Sequence, residues 1–231
     1  MTRFCRFDLR TTDATAARAF YAKLLGHDGA TIWPLHEQAR ARGAQPHWLG
    51  SIGVEDPERA AAAFVARGAV PIGPVRPTAY GGTAVVLRDP GGALVALATP
   101  PPPNAEAPRL VVWHVLNTTD VARATTNYRE LFGWEFGERI ELGAHGSFQQ
   151  FAWQAGGANV GVFGDIVARP GVHAHWNFCF EVDALEPALA WTRAAGGVAL
   201  EPIVLPSGER MGVCDDPQGA TFALRERRQR V

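Results

Sequence analysis

Two short stretches of the chain carry the side chains best suited to chemistry. In the first, Leu110 to Leu116, His114 stands inside an apolar run. An imidazole with an ordinary pKa of about 6.5 serves as base or donor near neutrality. In the second, His175, Asn177, Cys179 and Glu181 alternate with Trp176, Phe178, Phe180 and Val182. On a strand, that period of two gives one polar and one apolar side. The apolar side is expected to meet a helix, and the polar side to face a cavity. The same alternation groups His114 with Val112 and Leu116. We place this set on the polar, concave side, so that His114, His175, Asn177 and Glu181 converge. There His114 is the best general base, and Asn177 orients a carbonyl or oxyanion.

The His-Trp pairs at 47–48 and 175–176 enter equivalent strands. Trp48 and Trp176 offer planar walls for an aromatic ligand, with His175 and Glu181 as further substrate contacts. The competing reading is that each indole fastens its strand to a neighbour. Other motifs fail on inspection. His36-Glu37 opens like a zinc-protease motif, but Arg40 stands where the second histidine is needed. Gly156 to Gly164 lacks the phosphate-loop spacing, and no GxSxG occurs. Cys5, Cys179 and Cys214 have no CxxC spacing, which argues against a disulfide framework or a structural zinc site. No charged neighbour in sequence activates Cys179.

The elements that must position these residues occur twice. Thr11-Thr12-Asp13, Tyr21 and Gly26 return as Thr118-Thr119-Asp120, Tyr128 and Gly133, each 107 positions later. His47-Trp48 and Gly68 return as His175-Trp176 and Gly196, 128 positions later. Asp89-Pro90-Gly91-Gly92-Ala93 returns as Asp216-Pro217-Gln218-Gly219-Ala220, 127 positions later. The larger offset means that the first copy lacks about 20 residues between Gly26 and His47. Four prolines, Pro100 to Pro103, open a stiff linker. The modules are therefore 1–99, shortened by most of a hairpin, and 109–231, with the linker at 100–108.

In each module an apolar strand leads through Thr-Thr-Asp, as N-cap, into a helix that ends on glycine. Short strands follow, then the His-Trp strand, a second helix (184–195 in the second copy) and two closing strands around Asp-Pro-x-Gly. Apolar residues make up 47% of the 231 residues and charged residues 19%, enough for a core and against global disorder. The net charge of −1 gives no nucleic-acid or anionic-membrane surface. The start of the chain has no signal-peptide pattern, and no apolar run is long enough to span a bilayer. A cytoplasmic protein, monomeric or homodimeric, is expected. The arginines near the C-terminus read as a solvated end.

This order of elements, with its paired TTD, Tyr and DPxGA motifs, resembles the vicinal oxygen chelate superfamily of glyoxalases, bleomycin-resistance proteins and extradiol dioxygenases. More narrowly it resembles two-module bacterial glyoxalase-like proteins. The resemblance implies an α+β fold of tandem βαβββ modules, with curved mixed β-sheets and helices on the outer face. It also implies a divalent metal held by the opening and closing strands. Carried over, those positions are Phe7 and His114 in the opening strands and Ala96 and Ala223 in the closing ones. The mid-module histidine of the dioxygenases falls on Leu49 and Asn177. Alanine cannot coordinate a metal, so no cofactor is expected and a divalent metal is disfavoured. Two functions follow from the resemblance. One is a lyase or isomerase with a degenerate or absent metal site, using His114 and Asn177. The other is a non-catalytic protein that sequesters a small molecule.

Overall fold

A computed structural model describes residues 1–26, 31–102, 111–205 and 207–227. Residues 103–108 of the linker, and Arg228 and Arg230 of the basic end, lie outside the described residues. The chain has an α+β fold, and among the described residues its strands form two mixed sheets of seven and nine. In the first half, β1 (Phe4–Thr11), α1 (Ala14–Leu25), β2 (Thr31–Pro34) and the short α2 (Glu37–Ala41) come first. A full set follows: β3 (His47–Gly53), α3 (Pro57–Val65), β4 (Val70–Pro71), β5 (Arg76–Pro77), β6 (Thr83–Arg88) and β7 (Leu94–Ala98). The second half has β8 (Val111–Thr118), α4 (Val121–Phe132), β9 (Glu135–Glu141), β10 (Ser147–Ala152) and β11 (Gly161–Asp165). It then repeats the set as β12 (His175–Val182), α5 (Leu185–Ala194), β13 (Val198–Ala199), β14 (Ile203–Val204), β15 (Arg210–Asp215) and β16 (Thr221–Glu226). The hairpin of β9 and β10 has β2 and α2 at its place in the first half. No helix among the described residues is long and apolar enough to cross a membrane.

Local chemistry explains the repeated boundaries. Asp13 Oδ1 accepts the Thr15 and Ala16 backbone N–H groups at 3.0 and 2.9 Å, and Asp120 Oδ1 accepts that of Arg123 at 2.9 Å. Gly26 and Gly133 end α1 and α4 at φ 74° and 72°, a left-handed turn that favours glycine.

The chain gathers into two compact units that do not follow the sequence repeat. One holds Met1–Arg6, Leu49–Glu106 and His114–Trp176; the other holds Phe7–Trp48, Ala107–Trp113 and Asn177–Val231. In the first unit β3, β7, β6 and β4 lie side by side, with β5 also on β6, and β8, β11, β10 and β9 do likewise. Its helices α3 and α4 meet through Phe64, which is edge-on to Tyr128 and Phe132 at 5.7 and 5.9 Å. An Arg67–Glu130 ion pair of 2.5 Å joins the same helices' ends. In the second unit β2 pairs with β1 in parallel, and β12, β16, β15 and β13 run side by side with β14 also on β15. Helices α1 and α5 meet through Phe20 and Trp191, 4.9 Å apart.

The motifs that repeat in sequence converge in each unit. In the second unit, Trp48 Nε1 donates to the Tyr21 hydroxyl at 3.0 Å, and that hydroxyl donates to Asp216 Oδ2 at 3.1 Å. In the first, Trp176 Nε1 donates to the Tyr128 hydroxyl at 3.2 Å, which donates to Asp89 Oδ2 at 3.2 Å. Each aspartate uses its other oxygen to close its own turn: Ala93 N–H on Asp89 and Ala220 N–H on Asp216, both at 2.9 Å. Tyr21 and Tyr128 thus each tie a helix from one half of the sequence to the closing turn of the other half. Both tyrosines are fully buried, and the aspartates are 4% and 3% exposed. Burial raises the Asp89 pKa to about 6 and raises that of Asp216, overcoming the hydrogen bonds that favour the charged form.

Two outcomes follow. Tyr128→Phe leaves the Trp176 N–H and Asp89 Oδ2 buried without their partner. It should lower stability by about 1–3 kcal/mol in urea unfolding, and Tyr21→Phe by a similar amount. A raised carboxyl pKa favours the folded state most below the unfolded value and loses that contribution as pH rises through the folded value. Between pH ~4 and the folded pKa of about 6, wild type should therefore lose stability relative to Asp89→Asn. Parallel stability curves for the two proteins across that window would contradict this.

Candidate functional site

His114 lies on β8, and the strand's alternation decides what it touches. Leu116 is on the same side and pairs with Phe163 of β11, whose ring packs on Tyr128 of α4 at 5.3 Å. His114 therefore points to the helix side. It is 6% exposed, stacks on Phe4 at 5.3 Å and 9°, and meets Trp153 edge-on at 4.9 Å. Trp134, Phe151 and Trp176 continue this aromatic layer. Its Nδ1 is 2.9 Å from the Val160 carbonyl. Because a carbonyl only accepts, Nδ1 carries the proton in the neutral ring. Burial lowers the pKa to about 4, so the ring is neutral at pH 7. Gly161 allows this approach, since a Cβ there would overlap the His114 carbonyl and the Phe151 ring. The expected placement of His114 on the polar side is thus corrected. Phe7, its counterpart in the first half, also makes a core contact, edge-on to Phe178 at 4.9 Å.

The other side of β8 in this unit carries Asn117, in register with Gly164 of β11, which is in register with Phe148 of β10. Here the structure brings His175 together with Asn117 and Arg169, which strand patterns did not single out. Arg169 Nη2 donates to Asn117 Oδ1 at 2.7 Å, and its Nε donates to the Asp165 carbonyl at 2.9 Å. The guanidinium lies over the Phe148 ring, 5.3 Å from its centre. Asn117 Nδ2 lies 3.4 Å from Nε2 of His175. His175 Nδ1 is 2.8 Å from the His173 carbonyl, so Nδ1 donates there and Nε2 accepts from Asn117. The His173 and His175 rings are 4.7 Å apart. Among the described residues Arg169 forms no ion pair within 4 Å, and burial lowers its pKa. The site on this side is a fixed cation framed by an amide, two imidazoles and an aromatic face.

In the second unit, Asn177 and Cys179 are buried, and Cys179 pairs with Ala223 on β16. Cys179, Met211 and Ala223 form an apolar patch with Val112 and Trp113 packed on it. Asn177 is 4% exposed, and its Oδ1 has no hydrogen-bond partner among the described residues. Glu181 pairs with Arg225 at 3.4 Å and Arg227 at 3.7 Å. It also borders a surface groove of about 330 Å³ between Leu24 and Leu25 of α1 and Pro187 and Trp191 of α5. Burial raises the Cys179 pKa to about 12, which removes it as a nucleophile. The apolar side of β12 meets helices as its pattern predicts, Phe180 lying 6.3 Å from Tyr21 of α1. Trp48 and Trp176 are each 3% exposed and engaged with the tyrosines.

The metal implied by the resemblance finds a poor donor set. Ala96 and Ala223 are buried in the closing strands, and the Phe7 and His114 positions belong to aromatic packing. Among the described residues, no three of His, Cys, Asp and Glu group to hold a metal ion. At the positions that the resemblance implies, the described residues do not fit a divalent metal.

Arg169 and Asn117 carried no usable signal in the sequence. Arg169 stands in the loop before β12, and Asn117 registers only as the start of an Asn-Thr-Thr triplet.

Comparisons with known proteins agree with this architecture. Two curated relatives, each described as "Putative glyoxylase CFP32", come from Mycobacterium bovis and Mycobacterium tuberculosis. Both are 29% identical over 94% of this chain and 92% of their own. Among solved structures, the 2,3-dioxygenase LapB from Pseudomonas sp. KL28 matches with TM-score 0.63 and 14% identity, covering 98% of this chain and 92% of that one. The Mn(II)-bound glyoxalase from Novosphingobium aromaticivorans matches with TM-score 0.61 and 12% identity, covering 98% and 83%. Residues 110–224 match the family model described as Glyoxalase/Bleomycin resistance protein/Dioxygenase superfamily. Residues 110–224 therefore belong to the glyoxalase/bleomycin-resistance/dioxygenase superfamily, and the same fold runs across both halves of the chain.

Proposed function

We propose that this protein is a metal-independent member of its superfamily that binds a small organic molecule without transforming it. One observation carries this reading. The best candidate for a base, His114, faces the aromatic core with its Nδ1 on the Val160 carbonyl, while the opposite side of the same strand holds the polar set of Asn117, His175 and Arg169. A binding protein needs such a polar set but needs neither a base nor a metal. Asn177, with its buried acceptor, is a further contact under this proposal. The second reading, a lyase or isomerase acting on a polar carbonyl compound, is favoured by the likeness to proteins described as "Putative glyoxylase CFP32".

The two readings separate in one experiment. Chelator-treated protein is screened by thermal shift against small aromatic and carbonyl compounds, and hits are followed by calorimetry and proton NMR. The expected result is binding that survives chelation, with the ligand unchanged after overnight incubation. Turnover that appears on adding Mn(II), Fe(II), Ni(II) or Zn(II) would establish the enzyme reading instead.

His114 supplies a sharper check. His114→Phe should keep the stacking on Phe4, lose the bond to Val160 at about 1–2 kcal/mol, and bind the same hits with unchanged affinity. The folded pKa of about 4 lies below the ordinary value for histidine, so its contribution is present above pH ~6.5 and lost as pH falls through the folded value. The variant should therefore lose less stability than wild type between pH ~6.5 and ~4. Loss of ligand affinity with an unchanged acid limb would return His114 to the site.

A further inference from the structure

The binding reading leaves the chemical class of the ligand open, and the surroundings of Arg169 narrow it. Resting on that reading, we propose that Arg169, with Asn117 and His175, forms a receptor for the carboxylate of a small planar organic acid.

The half-buried guanidinium is held by neutral groups. Asn117 Oδ1 at 2.7 Å and the Asp165 carbonyl at 2.9 Å take one N–H from Nη2 and the N–H of Nε. Phe148 covers one face at 5.3 Å. The Asp165 carboxylate favours the charged guanidinium from a distance, but among the described residues no carboxylate lies within 4 Å of this half-buried cation. The carboxylate nearest in sequence, Asp165, turns its Oδ1 to the Val167 N–H at 2.8 Å. Three of the five guanidinium N–H bonds lie outside these contacts, enough for the forked pairing that carboxylates make with arginine. Gly164 makes the space: a Cβ there would overlap Phe148 and stand 3.0 Å from Arg169 Nη2.

Charge and geometry select the anion. His175 is engaged through Nδ1 with the His173 carbonyl and through Nε2 with Asn117. Arg169 supplies the fixed positive charge, and its planar fork matches a carboxylate. The Phe148 face beside the guanidinium suits a flat substituent on that carboxylate.

The test uses benzoate as probe, with benzamide as its neutral analogue and inorganic phosphate as the competing anion. Calorimetry or chemical-shift titration of the full chain should show benzoate binding with Kd on the order of 1 mM. Benzamide and phosphate should bind at least about tenfold more weakly. Arg169→Gln should abolish benzoate binding, and Arg169→Lys should weaken it by about tenfold or more, because an ammonium lacks the planar fork. Asn117→Asp provides a stability readout independent of any added ligand. The new carboxylate occupies the guanidinium, so Tm should rise while benzoate no longer binds. Equal binding of benzamide or phosphate overturns the proposal, as does unchanged benzoate affinity in Arg169→Gln or a lower Tm in Asn117→Asp. These failures differ from failure of the binding reading. A neutral screening hit that ignores Arg169 keeps that reading and removes this one. Turnover of a carboxylate that needs Arg169 does the reverse.

Discussion

A tyrosine hydroxyl placed between an indole N–H and a buried carboxylate recurs in each compact unit, and it governs how the two halves of the chain combine. The indole has one donor, the hydroxyl passes that bond on, and the aspartate accepts it while its other oxygen closes a β-turn. The indole and the hydroxyl come from one half of the sequence, and the carboxylate that accepts from the hydroxyl comes from the other. Tyr21 reaches Asp216, and Tyr128 reaches Asp89. In a dry interior an unmet donor or acceptor is expensive. The exchange therefore ties each half's closing turn to the other half's first helix.

The same network fixes the two sides of the strands. Trp176 must face α4 to reach Tyr128, so His175 and the residues alternating with it face away. On β8 the side with Leu116 takes part in the aromatic layer around Trp134 and Phe163. His114 sits on that side, where a protonated imidazole would be poorly solvated and a neutral one stacks on Phe4. Chemistry that needs an accessible base or a shared proton is disfavoured there. The polar side gains Asn117 and, through the loop after β11, Arg169.

Two titrations oppose each other across the acidic range. Asp89, raised to about 6, favours the fold at low pH, and His114, lowered to about 4, favours it at high pH. Their contributions partly cancel in the intact protein, so a flat stability profile between these values would reflect compensation and not the absence of buried titrating groups.

Much of the fold is legible in the sequence. The repeat of Thr-Thr-Asp, Tyr, His-Trp and Asp-Pro-x-Gly-Ala signalled a duplicated α+β unit, because capping and turn chemistry is local and leaves its mark on neighbouring residues. The side of β12 that meets helices was equally plain, since Phe178, Phe180 and Val182 alternate with polar residues. β8 gave no such contrast. His114, Val115, Leu116 and Asn117 are all buried, so alternation grouped its residues correctly without telling which group met the helix. Tertiary structure alone decided that, along with the pairing of Tyr21 with Asp216 across 195 positions and the arrival of Arg169 beside Asn117. Contacts between residues far apart in the chain depend on where whole elements pack, and no local pattern in the sequence encodes that.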